Sequence, residues 1–179
     1  AQNYIDVKES VQQGMKESAK HKFLKLQQDL RKQPGFIPEQ ELNLEFMQGL
    51  VSFLNEEADQ ADGQFIRICR QTDDSYGLAT QEGAWLMRIA VQLQNQNDRK
   101  LSTICLKYLA FLDKQGQLPD ALKSQAETWP TPGSLWTENQ KLALIQWLTK
   151  ERNTVEPKNG AHRCRILALE QLNRLKESL

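Results

Sequence analysis

The 179-residue chain has little of the material from which most enzyme and metal sites are built. It contains two histidines, three cysteines and nine glycines, and it has no G-x-S-x-G, no H-E-x-x-H and no glycine-rich phosphate loop. Those motifs carry nucleophilic hydrolysis, zinc-dependent proteolysis and nucleotide binding. We therefore expect a protein that is not an enzyme and that holds no cofactor or metal.

Cysteine usage and the absence of long apolar runs bear on where the protein works. Cys69, Cys105 and Cys164 are odd in number and widely spaced, and each lies among apolar neighbours at helical spacing. This pattern is typical of small buried hydrophobic residues rather than disulfides, and it favours a reducing, cytoplasmic compartment. No run approaches the ~18 apolar residues of a transmembrane helix, so we expect no membrane insertion. Removal of a leader before Ala1 is left open.

Positive and negative side chains balance to a net charge of zero, but they are unevenly distributed. Residues 38–62 hold seven acids and no base, whereas residues 1–33 hold seven bases against four acids and residues 137–179 hold eight against five. Without an overall positive charge, binding to nucleic acid requires a local basic patch. The segregation itself favours oriented association with a charged partner.

Apolar residues recur every three or four positions along most of the chain, which predicts an all-α fold. The clearest stripe is N-terminal and consists of Tyr4, Val7, Val11, Met15, Ala19, Phe23, Leu26 and Leu30. It predicts a long amphipathic helix over 1–33, which ends at Pro34 and Gly35. Together with the later segments, it predicts a single domain over 1–179, a helical bundle of about seven helices.

The central segment, 38–115, predicts the core helices. One follows Pro38, a short one begins at Gly63 after a bend over "EEADQADG", and Thr80 is the expected N-cap of the next. That third helix is apolar nearly all round, so we expect it to be the most buried. A further helix is predicted from Asp98 to Lys114, and no segment indicates an internal repeat.

The C-terminal segment, 137–179, predicts a helix pair that follows a short helix in "LPDALKSQAE". Thr137 and Gln140 have the spacing of a capping box at the start of the first helix of the pair. Before them stands a first candidate partner surface, Trp129, Pro130, Pro132 and Trp136. It is either an aromatic platform for a peptide, base or cation, or a rigid corner whose indoles enter the core. We favour the corner, because helical proteins need such lids.

A second candidate is a C-terminal basic surface for an anion or nucleic acid, formed by Lys150, Arg152, Lys158, His162, Arg163, Arg165 and Arg174. A helix N-terminus near Gly160 would offer backbone N–H groups to a phosphate. The alternative is a solvated basic turn, because cations at that end oppose the helix dipole. The hypothesis requires that these charges share one face and are not paired with neighbouring acids.

A third candidate is an acidic partner face, formed by Glu41, Glu45, Glu56, Glu57 and Asp59. Glu41 and Glu45 lie one turn apart, a spacing at which two carboxylates can share a proton, or can hold a metal together with carboxylates from another helix. A di-metal bundle also needs a Glu-x-x-His pair on two further helices, and neither histidine has a glutamate three residues before it. A solvated face is the favoured interpretation.

On these grounds we predict a non-catalytic helical module that binds another macromolecule, as an adaptor, regulator, inhibitor or small subunit of a larger assembly. Another protein is the expected partner, and the oligomeric state is left open. The alternative is a nucleic-acid-binding protein that uses the C-terminal basic surface. A second alternative is a small-ligand-binding bundle with a pocket near Trp85, Tyr108 and the tryptophan corner.

Overall fold

The computed structural model describes positions 21 and 25 and residues 38–70, 78–153 and 162–179. These residues form helices and no strands, so the predicted all-α fold is confirmed. The predicted helix over 1–33 lies outside the described residues apart from positions 21 and 25. The helices are α1 (Pro38–Leu54), α2 (Ala58–Cys69), α3 (Leu78–Gln94), α4 (Asp98–Lys114), α5 (Asp120–Ala126), α6 (Glu138–Asn153) and α7 (His162–Ser178).

None of the helices in this described part of the chain combines the length and the apolar character that crossing a lipid bilayer requires.

Two predicted helix starts are wrong, and one helix agrees at both ends. α2 begins at Ala58 rather than Gly63, because the turn after α1 needs only residues 55–57. α3 begins at Leu78, so Thr80 lies inside the helix, where its side chain is buried, rather than at the cap. α4 runs from Asp98 to Lys114, as its apolar period predicts.

Two successive helix hairpins, α1–α2 and α3–α4, are closed by the same turn. In the first, the N–H of Glu57 donates to the carbonyl of Ser52 at 2.9 Å, and in the second the N–H of Asn97 donates to the carbonyl of Gln92 at 2.9 Å. These are the outer bonds of a Schellman motif, whose central residue is left-handed. That residue is Gln96 in the second turn, with φ of 54°. The two hairpins therefore share a geometry that the sequence pattern does not indicate.

α3 lies at the centre of the described helices. It packs against α1, α2 and α4, and most extensively against α7. The buried side chains of α3 include Leu86, Met87, Ile89 and Ala90, all fully excluded from solvent, so among the described helices α3 is the most buried, as predicted. The surface that α3 shares with α7 therefore forms the middle of the hydrophobic core.

Close packing between α3 and α7 depends on a glycine. A Cβ atom added to Gly83 would lie 2.8 Å from the carbonyl carbon and 2.9 Å from the carbonyl oxygen of Cys164. Both atoms belong to backbone, so no side-chain rotation relieves the contact. The two helices therefore approach to backbone distance at this position.

We expect Gly83→Ala to lower the free energy of unfolding by about 1–3 kcal/mol, because the added methyl group displaces the α7 backbone. Gly63→Ala is the matched control, since Gly63 is exposed in α2 and an added Cβ there meets no atom within 4 Å. It should raise stability by up to ~1 kcal/mol through helix propensity. Urea unfolding followed by circular dichroism measures both. Equal stability of Gly83→Ala and wild type would contradict the close approach.

A second prediction concerns the left-handed turn residues. Gln96→Gly should stabilise the protein by about 1 kcal/mol, because a side chain at positive φ costs roughly that much. Gly116, the corresponding residue after α4, has φ of 68°, so Gly116→Ala should destabilise by a similar amount. Thermal unfolding of both variants tests the pair. If Gln96→Gly were destabilising, as glycine is inside a helix, the left-handed conformation would be wrong.

Candidate functional site

A buried cluster of ionisable residues is centred on Glu82 of α3, which is 3% exposed. Arg152 of α6 donates from Nε to Oε2 at 2.6 Å and from Nη2 to Oε1 at 2.9 Å. The Tyr108 hydroxyl of α4 donates to Oε2 at 2.7 Å, and Nη1 of Arg165 on α7 lies 3.6 Å from Oε1. A single carboxylate therefore joins α3 to α4, α6 and α7.

The protonation states in this cluster suit a structural role. Burial raises the pKa of Tyr108 well above its usual range, and the Glu82 charge raises it further, so the phenol stays a neutral donor. Burial acts to lower the pKa of Arg152, but hydrogen bonding and attraction to Glu82 outweigh it and leave that pKa raised. Nη2 of Arg152 also donates to Gln117 at 3.3 Å. These groups bond to one another and so hold their helices together. We call Glu82, Tyr108, Arg152 and Arg165 the clamp.

This clamp corrects the predicted C-terminal basic surface. Arg152 and Arg165 were expected to meet phosphate at the surface, yet each is 3% exposed and directed to Glu82. A buried carboxylate needs cationic partners, and the long arginine side chains reach it from two helices. Lys150 and Arg174 are exposed, as that hypothesis requires.

The other members of the predicted basic surface are not placed. Lys158 lies outside the described residues, and so do the side chains of His162 and Arg163. Of the predicted surface, the described residues therefore remove Arg152 and Arg165, which are buried, and leave Lys150 and Arg174 exposed.

The tryptophan corner packs over the start of α4. Trp136 is buried, and its Nε1 donates to the Ser102 hydroxyl at 2.9 Å. That hydroxyl donates in turn to the carbonyl of Pro130 at 2.8 Å. Trp129 is half-buried, with its ring centroid 6.0 Å from that of Trp136. The Trp136 side chain is therefore part of the core, whereas the Trp129 indole remains partly exposed.

Four further hydrogen bonds, in two reciprocal pairs, hold the same corner. Gly133 and Arg99 exchange bonds, the Gly133 N–H donating to the Arg99 carbonyl at 3.1 Å and Nη1 of Arg99 donating to the Gly133 carbonyl at 3.0 Å. Thr137 and Gln140 bond reciprocally at 2.9 and 3.1 Å, so the predicted capping box is present. Pro132 is exposed at the outer edge. The corner thus ties the N-termini of α4 and α6 together.

Only part of the predicted acidic face is both exposed and not bonded to Arg67, as contact with a partner requires. Glu45 accepts from Arg67 Nη2 at 2.7 Å, so an arginine of α2 neutralises it. Asp59 and Glu56 are exposed, Glu57 is half-buried, and the side chain of Glu41 lies outside the described residues. Of the described members of this face, Glu45 is therefore already paired within the fold.

The cysteines are free thiols. Cys105 and Cys164 are buried and Cys69 is half-buried, which confirms their predicted role as small core residues. Burial raises the pKa of Cys69 to about 12, although the nearby Arg88 guanidinium acts to lower it. At neutral pH that thiol is protonated and poorly nucleophilic.

The residues named for a small-ligand pocket serve the core instead. Tyr108 is fully buried and bonded to Glu82, and Trp85 is half-buried against Phe111 with the Arg88 guanidinium 4.9 Å from its ring centroid. A groove of about 490 Å³ lies elsewhere, between α6 and α7. Its lining is mostly polar, with Lys150 among its residues.

A surface that the sequence analysis missed lies on the outward face of α4. Arg99, Lys100, Lys107 and Lys114 are all exposed there, and Asp113 is the exposed acid among them. We call these residues, together with the neutral exposed residues of α4, the α4 face. The charge of whole segments does not reveal the α4 face, because it does not show which side of a helix carries the bases. The same period that buries that side directs these bases outward.

The neutral part of the α4 face includes an exposed leucine. Leu106 is 44% exposed and lies between Thr103 and Ala110, which are also exposed. Residues three and four apart share one side of a helix, so these three form a narrow track down its outside. The remaining acid at the start of the helix, Asp98, is turned inward, where Lys141 Nζ lies 2.8 Å from Oδ2. The α4 face therefore combines net positive charge with an apolar contact.

No protein-family model, curated protein or solved structure matches the chain.

We expect Glu82→Gln to lower the free energy of unfolding by about 3–5 kcal/mol, because it removes the carboxylate to which the buried Arg152 guanidinium is bonded. Tyr108→Phe removes one hydrogen bond and should cost about 1–2 kcal/mol. Urea unfolding of both variants measures the difference. A loss from Glu82→Gln no larger than that from Tyr108→Phe would contradict the clamp.

Proposed function

We propose that the chain is a non-catalytic protein-binding module that acts as an adaptor, regulator, inhibitor or small subunit of a larger assembly. The observation that carries the proposal is the α4 face, where four exposed bases and the exposed Leu106 stand on one side of a helix. A surface that combines charge with an apolar contact is suited to a protein partner.

The support for α4 favours binding without rearrangement. Its inner side is buried through Leu101, Ile104, Cys105, Tyr108, Leu109 and Leu112. Three polar side chains of α4, Asp98, Ser102 and Tyr108, bond to neighbouring parts of the fold. A surface that is already ordered loses little conformational entropy when a partner binds.

Nucleic-acid binding is the competing hypothesis. The described C-terminal cations give it less support than predicted, since Arg152 and Arg165 are buried, whereas Lys150, Arg174 and the bases of α4 are exposed. The net charge of zero also removes the long-range attraction on which non-specific binding to nucleic acid depends. A protein partner therefore accounts for more of the α4 face, because it also uses Leu106.

Affinity capture of the full chain from its native cells, with and without nuclease, tests the proposal. We compare wild type with Lys100→Glu/Lys107→Glu/Lys114→Glu and with a control of equal charge change, Lys123→Glu/Lys150→Glu/Arg174→Glu. Wild type and control should retain a stoichiometric protein that the α4 variant loses. The proposal is overturned if nuclease removes everything captured, or if the purified chain turns over a small molecule.

A further inference from the structure

The exposed residues of α4 follow a seven-residue register. Lys100, Lys107 and Lys114 repeat at intervals of seven, so they line one edge of the helix. Thr103 and Ala110 are also seven apart, and they lie on the side of the helix next to the lysine line. In heptad notation, with Thr103 and Ala110 at a, every e position of the exposed face carries a lysine.

Leu106 completes this arrangement. With Thr103 at a, the d positions are Arg99, Leu106 and Asp113, so Leu106 is the apolar residue at the centre of the seam, and its 44% exposure leaves it uncovered by the described fold. The small side chains at 103 and 110 flank it on the track, which leaves room for the side chains of a second helix to pack around it. An uncovered a/d seam with like charges at e is the pattern by which one helix selects another of opposite charge.

We propose that the α4 face binds an acidic amphipathic helix of a partner protein, with Leu106 packed into the apolar seam of that helix and Lys100, Lys107 and Lys114 paired with its flanking carboxylates. The inference rests on the proposed function and specifies the partner class. Only one large apolar residue lies in the seam, so the affinity depends strongly on charge. The complex is expected to be reversible and sensitive to salt.

The spacing of the lysines favours a helix over nucleic acid. Seven residues rise ~10.5 Å along α4, the interval at which glutamates recur on a paired helix. Duplex DNA carries a charge every ~1.7 Å of its axis, so three lysines at that interval neutralise few phosphates. None of the exposed residues of α4, which is described throughout, is aromatic, so the surface offers no platform for base stacking.

Fluorescence anisotropy with a labelled peptide of about three heptads tests the inference; it has leucine at a and d, glutamate at e and g, and glutamine elsewhere. Full-length wild type should bind it saturably, and raising the NaCl concentration from about 50 to about 300 mM should weaken binding. Lys100→Glu/Lys107→Glu/Lys114→Glu should bind at least ~10-fold more weakly. The charge-matched control, Lys123→Glu/Lys150→Glu/Arg174→Glu, should bind within about twofold of wild type.

Two further comparisons separate charge from packing. A peptide with lysine at e and g but the same leucines should bind at least ~10-fold more weakly to wild type, because the e positions then repel it. Leu106→Gln should weaken binding of the glutamate peptide by about 3- to 10-fold without altering the circular dichroism spectrum, since the side chain is partly exposed. Equal binding by Leu106→Gln and wild type would overturn the inference that Leu106 packs against a partner helix.

Other outcomes overturn the inference in distinguishable ways. Duplex DNA of about 20 base pairs bound as tightly as the glutamate peptide would make the α4 face a general polyanion surface. If wild type fails to bind the peptide but still captures a protein from cells, the partner class is wrong and the proposed function stands. If the peptide binds as expected but no protein is captured, the α4 face is supported as a helix-binding surface and the proposed function fails.

Discussion

The bidentate bond between Glu82 and Arg152 is the contact on which the arrangement of the helices most depends. A carboxylate inside the core is costly unless its charge is paired and its oxygens are bonded, so the helices that supply its partners must meet at one point. The next residue along α3, Gly83, admits the backbone of Cys164 on α7. These neighbouring contacts determine both the rotation of α3 and its distance from α7, and the other helices pack around that pair.

The same constraint decides which side of α4 faces outward. Tyr108 reaches the central carboxylate, and Ser102 and Asp98 bond to the tryptophan corner and to α6. These anchors lie along the inner side of one helix, so α4 has little freedom to rotate. The lysines on its opposite side are consequently held in one line, so the geometry of the surface that we propose for a partner is already set.

Periodicity predicted the features that depend on local sequence, and failed where distant residues meet. It placed α4 from Asp98 to Lys114 and located the capping box, because apolar spacing and cap chemistry are local. It could not pair Glu82 with Arg152, which are 70 residues apart, and any pattern that sorts residues by polarity assigns both to solvent. It also missed the α2 start, since the left-handed residue of the turn before α2 is Glu56, with φ of 61°, and a glutamate gives no glycine signal for such a turn.

The net charge of the whole chain determines how strongly the local charge of the α4 face acts on an approaching partner. The chain is neutral, so an acidic partner feels no net attraction at long range and responds to the nearest charged face. The bases of α4 attract such a partner, while the exposed carboxylate of Asp59 on α2 repels it. Attraction on one helix and repulsion from another orient the approach, which raises specificity more than affinity. In the proposed complex a short seam with a single leucine then suffices, because charge selects the partner and Leu106 adds one apolar contact that sets its register.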